Sequence, residues 1–430
     1  MLILSRPIGA KQALAYHARE FSNVSANDDA TGAVIAATWH GRLAGYWGLA
    51  GDVDVERFRR LAEGQHPATG EALVRHQAGR RYTNAAGRTV TAMAHRAGWD
   101  ATFSPPKSVS LTALVGGDAR VREAHRTAVA AALRELQPYV RAHLGGGRTP
   151  EPTGNWVASA FEHDSARPVN GYAAPQLHTH VVFFNLTRTH GGHVRPIQER
   201  ELFRSQQLAT AVYRSELALS LRHLGYDIER GASSQPEIRG YSESYLKASS
   251  PRAQQIEADL EAHGYRGTRS VRIMYGMREP KIDLSHAEMQ RQHRVLARAF
   301  GDQPARVVEA AHERQLRLDA HVPRVSARMA VAYAESRGFE GHAVVAERQL
   351  LRDALKLSMG EMRVEDLRAE MDRRLASGTL IAVPTPPGVP GRAFTTPELL
   401  NLARDTIAVR RVGPQIQRDR AAQHSIDLGL

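Results

Sequence analysis

The 430-residue chain contains no cysteine. That excludes disulfides and thiolate metal sites, so any bound metal must be held by His, Asp or Glu. Long apolar runs are missing too. No stretch approaches the ~18 continuous apolar residues of a membrane span, and the N-terminus has no signal-peptide layout, so neither membrane insertion nor secretion is expected. The phosphate-cradling pattern G-x-x-x-x-G-K-[ST] does not occur, and no nucleotide-driven motor is expected of this chain. Acidic residues are the minority charge: 45 Asp+Glu stand against 57 Lys+Arg, a net +12. Such a balance favours a polyanionic partner, nucleic acid or an acidic membrane surface.

What is present suits two or three packed units. Residues 7–23 have the period of a helix with Leu14, Ala18 and Phe21 on one face and Tyr16 turned away from it. Residues 98–104 alternate as a strand, with Asp100, Thr102 and Ser104 on one side and Ala101 and Phe103 on the other. A long helix follows an Asp118 cap. Strands are expected over 155–163 and 177–186, separated by a segment holding Pro168, Asn170-Gly171 and Pro175. A hairpin through Gly191-Gly192 and a helix over 206–224 come next. The sum is an α+β fold, an antiparallel sheet palm with flanking helices over residues 1–250. Ser250-Pro251 opens a helical segment, 251–304. A small unit over 305–430 ends in a helix bearing Val364, Leu367, Met371 and Leu375, then two short strands, a winged-helix-like layout. There is no internal repeat.

The segment Gln176-Leu-His-Thr-His-Val-Val-Phe-Phe-Asn185 carries the chemistry. Residues i and i+2 of a strand share a face, so His178 and His180 project together. If the two strands pair around the 164–176 loop, His163 lands opposite His178 and completes a three-imidazole face. An isolated His-x-His is more often a chance strand pair, but a third histidine at a foldable position, with Asp100 on a neighbouring strand, turns the balance. Three neutral imidazoles suit a divalent ion with open positions. Asp100 would orient a ring N–H or accept a proton from a nucleophile. With a basic surface and an exposed Tyr16, this points to phosphodiester chemistry through a covalent intermediate. A hydrolase of small phosphate esters and a non-catalytic DNA-binding protein stay open on these residues.

Several motifs stand in order along residues 1–300: Tyr16, Trp39-His-Gly41, Gly48-Leu-Ala-Gly51, Gly98-Trp-Asp-Ala-Thr-Phe-Ser-Pro-Pro-Lys-Ser-Val-Ser110, Phe161-Glu-His-Asp-Ser-Ala-Arg167, Pro175-Gln-Leu-His-Thr-His180, Tyr213-Arg-Ser-Glu-Leu217 and Leu224-Gly-Tyr226. In combination they resemble the relaxase domain of MobF-type (TraI- and TrwC-like) conjugative relaxases, members of the HUH endonuclease superfamily. The resemblance implies a bacterial, cytoplasmic enzyme that nicks single-stranded DNA at an origin of transfer, beside a hairpin. Tyr16 would form a 5′-phosphotyrosine link. His163, His178 and His180 would hold a divalent ion, Mg or Mn first, with Zn, Ni or Co as further possibilities, and Asp100 would stand beside them. Arg167 and Lys107 would contact phosphate, and the segment with Arg278 and Lys281 would fold over the bound strand. Accessory proteins of the relaxosome and a coupling protein are the implied partners.

One departure stands out. Relatives usually carry a second tyrosine pair close to the first, whereas here the corresponding region reads Phe21-Ser-Asn-Val24. Rolling-circle initiators and single-strand transposases are the alternatives within the superfamily; in those the tyrosine typically follows the histidine motif, whereas Tyr16 precedes it. Trp39, Trp47 and Trp99 are candidate base platforms, with core packing as the plainer role for each.

Overall fold

The computed structural model describes residues 2–14, 37–75, 81–83, 87, 89–91, 95–263, 285–317 and 323–404. In chain order its principal elements begin with strands β1 (Leu2–Leu4) and β2 (Ala37–His40), helix α1 (Val55–Ala62) and strand β3 (Gly98–Phe103). Helices α2 (Lys107–Leu114) and α3 (Ala119–Leu136) lead to strands β4 (Ala158–Ser165) and β5 (Pro175–Phe184), then helix α4 (Arg200–His223). Helices α5 (Pro251–His263), α6 (His286–Ala299), α7 (Gln303–Gln315) and α8 (Ala327–Phe339) follow. The chain then forms β6 (Val345–Ala346), α9 (Glu347–Leu357), α10 (Val364–Ala376), β7 (Ile381–Val383) and β8 (Ala393–Thr395).

Among the described residues the central sheet has five strands in the order β1-β3-β5-β4-β2, every neighbouring pair antiparallel. The alternation expected of residues 98–104 is what divides its faces. Trp99, Ala101 and Phe103 join Val181, Phe183, Ala158 and Ala160 in one core, covered by α3 and α4. Each large apolar side chain taken from water there contributes roughly 1.5–3 kcal/mol. Val182, Phe184, Phe161 and Ala37 face the other way and pack on Phe58, Leu61 and Ile8. Helix α3 forms where the sequence is alanine-rich and begins where the Asp118 carboxylate accepts from Arg120 N–H, satisfying a donor that the first turn leaves open.

The turn between β4 and β5 is local chemistry. Asn170 and Gly171 both take positive φ, 50° and 79°, and Val169 and Tyr172 exchange two backbone hydrogen bonds across them. That is the two-residue hairpin geometry favoured by Asn-Gly. Pairing symmetric about this turn places His163 opposite His178, with one irregularity between His163 and Ser165.

The N-terminal helix expected over residues 7–23 is seen as helix at residues 10–14, where Ala13 is fully buried; residues 7–9 are instead extended, Ile8 bridging to Gly98 at the sheet edge, and residues 15–23, Tyr16 included, lie outside the described residues. Beyond α6, the division expected near residue 305 falls inside α7. Its Val307 and Ala311 join the core beneath α3 and α4. Helices α8–α10 and the small sheet β6-β8-β7 share a second core with Ala131, Leu208, Ala211 and Val212 of α3 and α4. Arg348–Glu201 at 2.6 Å and the Arg368–Glu135 pair rim that contact.

Of the described glycines, Gly98 leaves the least room for a side chain. A Cβ there would stand 1.7 Å from the Phe183 carbonyl oxygen, so Gly98→Ala must push β3 away from β5. Urea unfolding of Gly98→Ala should show a loss of about 3 kcal/mol; an unchanged midpoint would contradict the packing described.

Candidate active site

The three histidines meet on the sheet face opposite α3 and α4. His163 and His178 face each other across the β4–β5 ladder, and His180 pairs with Thr102 of β3. The ring centres stand 5.0 Å (His163–His178), 5.3 Å (His163–His180) and 5.2 Å (His178–His180) apart. Imidazoles sharing one tetrahedral ion at about 2.1 Å would place their centres roughly 5 Å apart.

Hydrogen bonding fixes which nitrogen each ring presents. His178 Nδ1 lies 2.9 Å from the Gln176 carbonyl oxygen. A carbonyl can only accept, so Nδ1 carries the proton and Nε2 keeps its lone pair. His180 Nδ1 lies 2.9 and 3.1 Å from the two Asp100 carboxylate oxygens and 3.3 Å from Thr102 Oγ1. Asp100 therefore holds that Nδ1 proton and again leaves Nε2 as the donor atom. Burial, with His180 alongside, pulls His178 down to about 4, so its imidazole is neutral at pH 7, the form that ligates. This donor set fits a divalent ion. What has converged is the rings: His163 and His178 are stacked at 21°, and among the described residues no three His, Asp or Glu already aim their donor atoms at one point.

Under the histidines, on the other side of the strands, lies a polar layer that sequence reasoning passed over. His125 of α3 is fully buried, with Nε2 2.8 Å from Thr179 Oγ1 and Nδ1 2.9 Å from Tyr213 Oη. Burial lowers its pKa to about 3. Its signal was legible: a histidine inside the apolar stripe Val121, Ala124, Ala128, Ala132. Buried Glu162, next to His163, receives Arg122 Nε at 2.9 Å and Arg126 Nε at 2.7 Å.

The remaining expected residues divide. Lys107 is half-buried. Its Nζ donates to the Pro175 carbonyl at 2.8 Å, and burial brings its pKa down to about 7. Arg167 is half-buried in the loop between β4 and β5. Trp99 is fully buried in the core and no base platform, because β3 turns it toward α3 and α4. Trp39 and Trp47 are only partly buried. Tyr16, Arg278 and Lys281 lie outside the described residues. Helix α6 sits against this end of the palm, with His293 Nε2 2.7 Å from the Ala173 carbonyl and His286 3.6 Å from the Asp164 carboxylate.

A family model described as TrwC relaxase matches residues 10–300. The multifunctional conjugation protein TraI of Escherichia coli is 37% identical over 202 residues, 44% of this chain and 10% of its own length; TraI of strain K12 is 36% identical over the same shares. The match thus spans about a tenth of these curated relatives. Among solved structures, the copper-bound conjugative relaxase TrwC in complex with oriT DNA aligns with a TM-score of 0.57 at 28% identity, covering 70% of this chain and 99% of that one. TrwC with a 27-mer comprising the recognition hairpin and cleavage site gives 0.55 at 27%, over the same shares.

The buried imidazoles have a measurable consequence. His125 and His178 titrate near 3 and 4 when folded but near 6.5 when unfolded. Between those values the unfolded chain binds more protons, so stability is full above about pH 6.5 and falls as pH drops. Each histidine contributes up to about 1.4 kcal/mol per pH unit. Urea unfolding in chelator from pH 4 to 7 should show a shallower slope in His125→Gln and in His178→Gln; the wild-type slope in both would refute the account.

Proposed function

The chain belongs to the TrwC relaxase family, and on that premise we propose that it nicks single-stranded DNA at an origin of transfer and passes the strand on through a tyrosyl intermediate. The observation that carries the reading is the meeting of His163, His178 and His180 on one sheet face with Asp100 on the Nδ1 of His180.

In this reading Tyr16 is the nucleophile. Its phenolic oxygen bonds to the scissile phosphorus, the bond from phosphorus to the 3′ oxygen breaks, and the phenolic proton is lost as the departing oxygen gains one. The products are a 5′-phosphotyrosine and a free 3′-OH. The ester retains the energy of the diester, so the reverse attack by a 3′-OH rejoins strands without nucleotide hydrolysis. The Nε2 atoms of His178 and His180, with His163, are proposed to hold a divalent ion, Mg or Mn first, which would neutralise charge on the non-bridging oxygens. Asp100 is proposed as the group that fixes the His180 tautomer, its carboxylate lying 2.9 and 3.1 Å from Nδ1.

For the DNA path, Arg167 in the hairpin loop and Arg278 and Lys281 beyond α5 are proposed phosphate contacts, and Trp39 or Trp47 a stacking surface. The substrate is taken to be a single strand beside a hairpin, with relaxosome accessory proteins and a coupling protein as partners, in a bacterial cytoplasm. Residues 1–250 form the proposed nicking unit, 251–304 the cover, and 305–430 a winged-helix-like unit that shares core with α3 and α4.

The test uses oligonucleotides tiling the transfer origin of the element that carries the gene. With Mg2+ or Mn2+, a denaturing gel should show one protein–DNA adduct, absent in Tyr16→Phe and in chelator. Asp100→Asn should weaken metal affinity by about 10–100-fold, with cleavage restored by excess ion. Cleavage without an adduct, or an adduct that survives Tyr16→Phe, would overturn the reading.

A further inference from the structure

Three residues of α3, Arg122, His125 and Arg126, lie at helical spacing on one face and touch the two histidine-bearing strands from behind. Their targets are Glu162 of β4 and Thr179 of β5, which stand directly opposite each other. That rung lies between the two that carry the site, Phe161–His180 and His163–His178. We propose that Arg122, His125 and Arg126 are positioning residues: by gripping the Glu162–Thr179 rung they set the height and tilt at which the three imidazoles meet. The inference rests on the reading of His163, His178 and His180 as the ion-holding set.

The case comes from where polarity appears. Further along the same helix-facing side the strands offer Ala158, Ala160, Val181 and Phe183, all buried and apolar, and packing alone holds them. At the one rung between the histidines the contacts become polar. Glu162 is buried, and burying a carboxylate is costly unless it is paired. A buried histidine joined at both nitrogens is likewise a demanding substitute for leucine. Apolar contact is non-directional and tolerates sliding, whereas hydrogen bonds of 2.7–2.9 Å fix distance and angle together. Tyr213 of α4 completes the arrangement from the other nitrogen of His125, so two helices hold one ring and that ring holds Thr179. Because neighbouring residues of a strand point to opposite faces, a shift of Thr179 moves His178 and His180 together.

The test reads the metal centre rather than turnover, using the full chain titrated with Cu2+ and followed by electron paramagnetic resonance and chelator competition. The wild type should bind one Cu2+ with nitrogen hyperfine structure from imidazoles; if it does not, the ion-holding reading fails and this inference fails with it. Thr179→Val keeps the branched shape and removes only the hydroxyl. It should bind Cu2+ about 10-fold more weakly with a shifted parallel hyperfine splitting, and His125→Gln should move both in the same direction. Wild-type affinity and spectrum in Thr179→Val, beside a lowered melting temperature, would show that the layer serves stability alone and would overturn the proposal while leaving the ion-holding reading intact. Should His125→Gln fail to fold, Thr179→Val decides by itself.

Discussion

The pairing register of β4 with β5 is the constraint on which the rest of the site depends. Because side chains alternate between faces, a slip of one residue would turn His163 to the side of α3 while His178 and His180 stayed opposite, and the trio would cease to exist. Two independent features hold the register. At one end Asn170-Gly171 closes a two-residue turn in left-handed backbone, and at the other the apolar residues of β5 pack into cores on both faces. The three histidines and Asp100 stand on strands, which move less than loops.

A second physical theme is the management of protons by burial. The chain carries a net +12, but its candidate centre calls for neutral nitrogen. The fold supplies this by withdrawing His178 and His125 from water and giving each committed nitrogen a partner: a carbonyl for His178, hydroxyls for His125. Asp100 does for His180 what the Gln176 carbonyl does for its neighbour, taking the Nδ1 proton and leaving Nε2 free. Lys107 follows the same logic. Burial lowers its affinity for a proton, and its bond to Pro175 ties the start of β5 to the first turn of α2.

The C-terminal unit changes how the sheet's helices are to be viewed. Helix α4 has one side in the sheet core and another in a core shared with α8–α10, so it is a central member between two layers. The apolar spacing of Val364, Leu367 and Met371 announced a helix, and all three are buried. Nothing in that spacing said that part of their cover would be Leu208 and Val212, some 150 residues earlier in the chain, because periodicity states that a face is buried and not what buries it.

What the sequence determined by itself was whatever local chemistry decides. The alternation of residues 98–103 assigned Asp100 to one face and Trp99 to the other. The Asp118 cap started α3, the Asn-Gly turn paired the strands, and the i, i+2 spacing set His178 and His180 side by side. The absence of cysteine had already left the site to imidazole and carboxylate. Tertiary structure alone decided the contacts between elements far apart in the chain. It put Asp100 on a nitrogen of His180, His125 beneath Thr179, Lys107 on the Pro175 carbonyl, and α7 within the first core. The physical reason is that backbone geometry and turn preference act over a few residues, whereas burial, proton affinity and hydrogen-bond partnership belong to the neighbours a side chain meets only when distant segments have packed.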